Sequence, residues 1–267
     1  MSPSRRGRVL LLVAAAVAVL SLVANAYLVA SLDEGFRKLQ LARIFPLGYD
    51  PATAPRFASA CDVPVVAIYG DSRAQQWDPA GLPPALRIEN FGHGAQTSAQ
   101  LLAALRADVA TRASIAVLQT GINDLHPLGA LPEESAAARR ALAANLRLIT
   151  SLLLARADRV VLTTLFPPDV VPLARRRSWD PATLEYIRAA NDVIRSSADS
   201  DRVVVVDAYA LLAGPDGRLA PQYRAADFFL HVNKAAYAEL NRALAGTAPW
   251  APVRDEGCAM PAARPSP

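Results

Sequence analysis

The chain has 267 residues, of which 52% are hydrophobic and 19% charged. That is room for one domain of roughly 200 residues with a large core, plus extra segments. The formal charge of +4 is carried almost wholly by arginine, with Lys38 and Lys234 the only lysines. The one dense cluster, Arg175-Arg176-Arg177, has no interleaved aromatic residues; it reads as a solvated loop, and no nucleic-acid partner is expected. Three histidines with no His-Glu-x-x-His, and two cysteines outside any Cys-x-x-Cys cluster, give no metal site to expect.

Residues 1–8 are basic through Arg5, Arg6 and Arg8, and residues 9–32 are apolar and free of charge. Such a run is long enough to cross a bilayer as a helix. Ala24-Asn25-Ala26 also fits a signal-peptidase site, but the apolar character continues through Tyr27-Leu-Val-Ala30, which favours an uncleaved signal-anchor. Ser4-Arg5-Arg6 hints at a twin-arginine signal, although Arg8 stands where an apolar residue is wanted. Arg37, Lys38 and Arg43 beyond the apolar run nearly balance the three arginines before it. The short N-terminus, the large C-terminal domain and the cysteine pair point to a domain outside the cytoplasm, periplasmic or extracellular. Behind an export signal, Cys61 and Cys258 are expected to form one disulfide tying the ends of the domain together, with two buried thiols as the alternative. In the chain-entropy account so long a loop contributes about 4–5 kcal/mol.

Residues 33–60 form a connector, with some helical periodicity over 36–45 and then a Pro- and Ala-rich stretch. The domain is expected over 61–247, with a Pro/Ala-rich tail over 248–267. Its first element is Val63-Pro-Val-Val-Ala-Ile-Tyr-Gly-Asp-Ser-Arg-Ala74, a β-branched apolar run that stops at Gly70-Asp71-Ser72. It reads as a strand buried on both faces, with a helix starting at or near Ser72. Further strands are expected at 86–90, 114–120, 159–165 and 202–207. Helices are expected at 98–110, 132–157, 181–198 and 232–244. Five strands alternating with helices predict an α/β fold: a three-layer, doubly wound, five-stranded parallel sheet. Ligands in such sheets bind at the carboxyl ends of the strands.

At those ends stand Ser72, the loop Asn90-Phe-Gly-His-Gly-Ala-Gln-Thr-Ser98, Gly121-Ile-Asn-Asp-Leu125 and, before the last helix, Asp227-Phe-Phe-Leu-His-Val-Asn-Lys-Ala-Ala-Tyr237. A serine, a loop of exposed amides, an asparagine and a histidine are the inventory of acyl transfer: nucleophile, oxyanion donors and base. A serine hydroxyl is a weak nucleophile until an imidazole takes its proton, so the histidine must rest neutral and activity should rise with pH. The plain alternative for Asp71 and Ser72 is helix capping.

Taken together, Gly70-Asp-Ser72, Asn90-x-Gly with Thr97 and Ser98, Gly121-Ile-Asn-Asp124 and His231-Val-Asn with Tyr237 resemble the SGNH (GDSL-type) serine hydrolases. The likeness covers about Cys61 to Leu244. It implies a flavodoxin-like fold, with Ser72 as nucleophile and its own N–H as oxyanion donor. Asn123 is implied as a side-chain donor and His231 as base, with no cofactor. Two departures stand out. Ala95 occupies the place of a glycine whose N–H is the third oxyanion donor; it can serve if its φ is negative, and Gly94 is the alternative. Phe228 occupies the place of the aspartate three residues before the histidine. Either a one-residue bulge lets Asp227 orient His231, or the base works alone.

The remaining polar residues get structural readings: Asp207 a cap or loop residue, Asp124 a stabiliser of its own turn, Asn90 a tie within its loop. His93 and His126 read as pocket-wall or surface residues, and Trp77 and Tyr69 as core. Gly92-His-Gly94 mimics a dinucleotide loop, but Thr97 replaces the third glycine and no ribose-binding acid follows. The serine lies in Gly-Asp-Ser-Arg-Ala and not in Gly-x-Ser-x-Gly. The sequence therefore reads as a membrane-anchored esterase acting on a small-molecule, glycan or lipid ester. The alternatives are a non-catalytic binding or assembly factor on the same fold, and an O-acyltransferase using the same residues.

Overall fold

The computed structural model describes residues 5–44, 65–83, 86–107, 112–176, 178–198 and 201–247. Cys61 and Cys258, and with them the expected disulfide, lie outside the described residues, as does the tail.

Helix α1 spans Arg5–Ile44. It runs without a break through the junction expected near Leu32, so the first part of the connector is helical too. Its stretch from Val9 to Leu32 is apolar on all sides and exposed. A helix apolar all round is suited to a core or to lipid. Among the described residues, α1 is the one helix long and apolar enough to cross a membrane.

The first strand is β1 (Val65–Gly70), all six residues buried. A single turn, α2 (Ser72–Gln75), follows, starting where the sequence places a helix start. Next come β2 (Arg87–Gly92), α3 (Ser98–Ala107), β3 (Ala113–Gln119) and the short α4 (Ile122–Leu125). Pro132–Glu134 forms a 3-10 turn, so α5 (Ser135–Leu154) starts later than expected; it also ends earlier, because β4 (Ala157–Thr163) already begins at Ala157. The chain continues through α6 (Thr183–Arg195), β5 (Val203–Val206), the short α7 (Ala208–Leu212) and α8 (Lys234–Thr247).

The strands form one parallel sheet in the order β2-β1-β3-β4-β5. Val66, Ile68, Ile115, Val117, Val161 and Val206 join residues of α7 and α8 in one buried cluster. The three crossovers running towards β5 carry α3, α5 and α6, and right-handed connections put them together on the opposite face. The expected three-layer, doubly wound sheet is therefore the fold observed. β1 connects to β2 on one side, and β2 connects back across β1 to β3 on the other. The chain reverses direction there, which opens a crevice at the carboxyl ends of β1 and β3.

Two glycines hold that edge together. Gly70 has φ 141°, and a Cβ there would lie 1.6 Å from the Gln119 carbonyl oxygen. Asp71 N–H instead donates to that oxygen at 3.1 Å. At Gly92 a Cβ would meet Gln75 N at 2.1 Å, so the end of β2 packs directly on the α2 turn. Asn90 seals this contact, its Nδ2 donating to Ala74 O at 2.9 Å while its Oδ1 accepts from Gly92 N–H at 2.8 Å. Both the left-handed angle and the clash oppose a side chain at Gly70. Gly70→Ala is expected to destabilise the domain by about 3 kcal/mol or more, read as a lowered urea midpoint.

Candidate active site

Ser72 enters the edge on the α2 turn. Its predecessor Asp71 is the N-cap, the carboxylate accepting from Arg73 N–H at 2.9 Å. Capping is thus Asp71's part, while Ser72, half-buried, faces an imidazole: its Oγ lies 3.1 Å from His231 Nε2. On the other side of that ring Nδ1 lies 2.8 Å from Asp227 Oδ2. Nδ1–H donating to the carboxylate leaves Nε2 free to accept the serine proton, the tautomer a base needs. The hydrogen bond to His231 is the main cause that holds Asp227 below the usual carboxylate range.

The spacing question is answered by a turn. His231 N–H donates to Phe228 O at 2.9 Å, and this turn takes up the extra residue, so the acid four positions back reaches the ring. Phe228, which occupies the expected acid's place, packs edge-on to His231 with centroids 5.2 Å apart. The loop is closed by Asn233, whose Nδ2 donates to Gln222 O at 2.8 Å and Arg224 O at 3.1 Å. Gln76 Nε2 lies 3.3 Å from Nδ1. Gln76 thus flanks the same ring nitrogen that Asp227 holds.

The expected oxyanion donors sit on neighbouring loops. Asn123, on α4, is almost buried and donates from Nδ2 to Gln96 O at 3.0 Å. One amide hydrogen is thereby fixed and the other left over. Gln96 follows Gly94 and Ala95. The N–H groups of Ser72, Gly94 and Ala95 donate to no protein acceptor among the described residues. The condition set for Ala95, a negative φ, is not met: its φ is 60°, the one positive value for a non-glycine among the described residues. Alanine therefore holds a glycine-like backbone, at a cost of about 1 kcal/mol.

Asp124 does more than stabilise its own turn. Fully buried, it accepts from Ser98 Oγ at 2.6 Å and Ser98 N–H at 2.9 Å, and so joins α4 to the start of α3. Burial raises its pKa to about 6, against the opposing pull of the Ser98 bonds. Asp207 caps α7 as expected, accepting from Ala210 N–H at 3.1 Å and pairing with Arg195. His93 is exposed, its Nδ1 3.1 Å from Gly94 O. His126 is half-buried, and lost hydration lowers it to about 4. Trp77 and Tyr69 are core, Trp77 bonding Asn241 Oδ1 at 2.8 Å and Tyr69 stacking on Phe91. The sequence reading missed Gln76 and Arg73. No motif marks either one, and only the partners identify them. No group of His, Cys, Asp or Glu able to hold a metal ion occurs among the described residues.

A parallel sheet whose reversal point carries these four strand-end motifs defines the class of SGNH hydrolases. The sequence pattern of the GDSL-like lipase/acylhydrolase family matches residues 53–239, and the chain belongs to that family; it is an ester hydrolase. Solved structures share the fold. A GDSL-like lipase from Bacteroides thetaiotaomicron is 22% identical, with a TM-score of 0.52 over 67% of this chain and 85% of its own. An acetylxylan esterase from Geobacillus stearothermophilus is 20% identical, with a TM-score of 0.51 over 71% and 96%. A lipase/acylhydrolase from Enterococcus faecalis is 19% identical, with a TM-score of 0.50 over 69% and 94%. No curated protein sequence matched the chain.

A carboxylate raised by burial favours the folded state most when protonated. Its contribution is full below about 4 and is lost as pH rises through about 6. Asp124→Asn, which mimics the protonated form, removes that dependence. In urea titrations the stability of the natural protein relative to the variant should fall by on the order of 2–3 kcal/mol between pH 4 and 7.5.

Proposed function

We propose that the chain is a membrane-anchored esterase whose domain lies outside the cytoplasm, and that it cleaves an O-acyl or O-acetyl ester of a glycan or lipid through a Ser72 acyl-enzyme. The observation that carries this reading is the unbroken relay from Ser72 Oγ to His231 Nε2 at 3.1 Å and from His231 Nδ1 to Asp227 Oδ2 at 2.8 Å. His231 takes the hydroxyl proton as Oγ attacks the ester carbonyl. Asp227 stabilises the imidazolium that forms. The negative charge on the carbonyl oxygen is met by the Ser72 N–H, the free amide hydrogen of Asn123 and the N–H of Ala95 or Gly94. Each such donor is worth about 3–4 kcal/mol of barrier. The imidazolium then protonates the leaving alkoxide, and a water activated by the same ring releases the acid. No step requires a metal or an organic cofactor.

Hydrolysis of p-nitrophenyl acetate tests the chemistry. Ser72→Ala is expected to lower kcat by at least about 1,000-fold and to abolish fluorophosphonate labelling. Asp227→Asn should cost less, about 10- to 100-fold. A buried orienting acid can cost about 10,000-fold, but Asp227 is 59% exposed. Undiminished hydrolysis by Ser72→Ala would remove the acyl-enzyme. Sugar acceptors added to the assay, with product analysis, report whether the acyl group passes to water or to a hydroxyl.

The location rests on α1, whose apolar stretch exceeds the thickness of a bilayer core. A reporter active only after export, fused behind residue 247, should be active in cells, and the protein should resist extraction by carbonate. An inactive reporter would reverse the orientation. Release into the soluble fraction would favour cleavage after Ala26.

A further inference from the structure

The residue after the proposed nucleophile is an arginine with no exposed surface. Arg73 is 0% exposed and ties its turn to three other parts of the chain. Its Nε donates to Leu230 O at 2.6 Å, the carbonyl next to His231. Its Nη1 donates to Phe166 O at 3.2 Å in the loop after β4, and its guanidinium lies 5.1 Å from the Phe166 ring centroid. Its own carbonyl accepts from Tyr237 Oη at 2.8 Å, from α8. Its N–H is held by Asp71.

Burying a guanidinium is costly unless its donors are met and a counter-charge is near. Burial lowers Arg73 to about 10 and raises Asp71 to about 6, and the charge of each opposes the shift of the other. Arg73 is thus still a cation at neutral pH. An apolar side chain would fill the same space without these costs, which points to a role besides stability.

We propose that Arg73 is the positioning residue that sets the base against the nucleophile. Serine and histidine are 159 residues apart in sequence, on two separate loops. Arg73 belongs to the α2 turn, so its position is tied to Ser72. Through Nε it grips the backbone one residue before His231, and through Nη1 it braces that grip on the β4–α6 loop. The planar fork gives two fixed directions at once, which a lysine cannot reproduce. Loss of the fork frees the Leu230–His231 backbone to drift, and about 1 Å of misplacement is enough to cost on the order of 100-fold in rate.

The inference rests on Ser72 and His231 being nucleophile and base, and the experiment keeps the two apart. Arg73→Met and Arg73→Lys are compared with the natural protein and Ser72→Ala, with folding checked by circular dichroism and all rates measured well below each melting point. For Arg73→Met the expected result is a kcat on p-nitrophenyl acetate reduced about 100-fold, KM within about twofold, and fluorophosphonate labelling of Ser72 slowed by the same factor. Arg73→Lys, which keeps the charge and one donor, should recover part of both rates. If Arg73→Met does not fold, Arg73→Lys decides alone, with kcat and labelling reduced together about tenfold. A folded variant of either kind with unchanged kcat and labelling, whatever its melting point, overturns the inference. Retained activity in Ser72→Ala overturns the reading beneath it instead.

Discussion

At the carboxyl edge of the sheet, β1 and β3 approach so closely that no side chain fits between them. Gly70 lies against the carbonyl of Gln119, and the next N–H, of Asp71, bonds that carbonyl. The strand therefore ends at a fixed point and turns sharply. Asp71 caps the turn and Ser72 sits on it. Because α2 is a single turn, the serine owes little to a helix macrodipole, which needs several aligned peptide units. What places it is the backbone contact beneath it and, on the far side, the packing of Gly92 on Gln75.

Below the rim lies a layer of buried charge: Asp71, Arg73 and Asp124. Burial pushes both carboxylates up to about 6. Asp124 and Arg73 are held by hydrogen bonds that cross between elements, Asp124 to Ser98 and Arg73 to Leu230 and Phe166, while Asp71 holds the Arg73 N–H within its own turn. Replacing such groups by a well-packed apolar core is often neutral or stabilising. They fix the relative positions of loops that would otherwise be joined only by non-directional packing. A site built from four separate loops needs that direction more than it needs the last increment of stability.

The two departures from the family pattern are resolved in different ways. At Ala95 the loop keeps a glycine-like angle and accepts strain, and the N–H remains unpaired among the described residues. At Phe228 the backbone changes instead: a turn closed by His231 N–H brings Asp227 to the ring, and the phenyl group packs against the imidazole. A backbone donor needs only a direction, which strain can preserve. A side-chain acceptor needs reach, which required an altered turn.

Much of this was written along the chain. The β-branched run before Gly70, the alternation of strands with helices, and the motifs after successive strands define the parallel sheet and name Ser72, Asn123 and His231. Those signals are local, because periodicity and turn chemistry act over a few residues. The limits of α5, the single turn at Ser72, the left-handed Ala95 and the choice of Asp227 were decided by tertiary packing. So were the cross-ties of Asp124, Gln76 and Arg73, whose partners lie 26, 155 and up to 164 residues away. An arginine after a serine looks like any solvated charge in a sequence. Only the assembled fold, by withdrawing it from water and setting carbonyl oxygens at two of its three nitrogens, makes it part of the site.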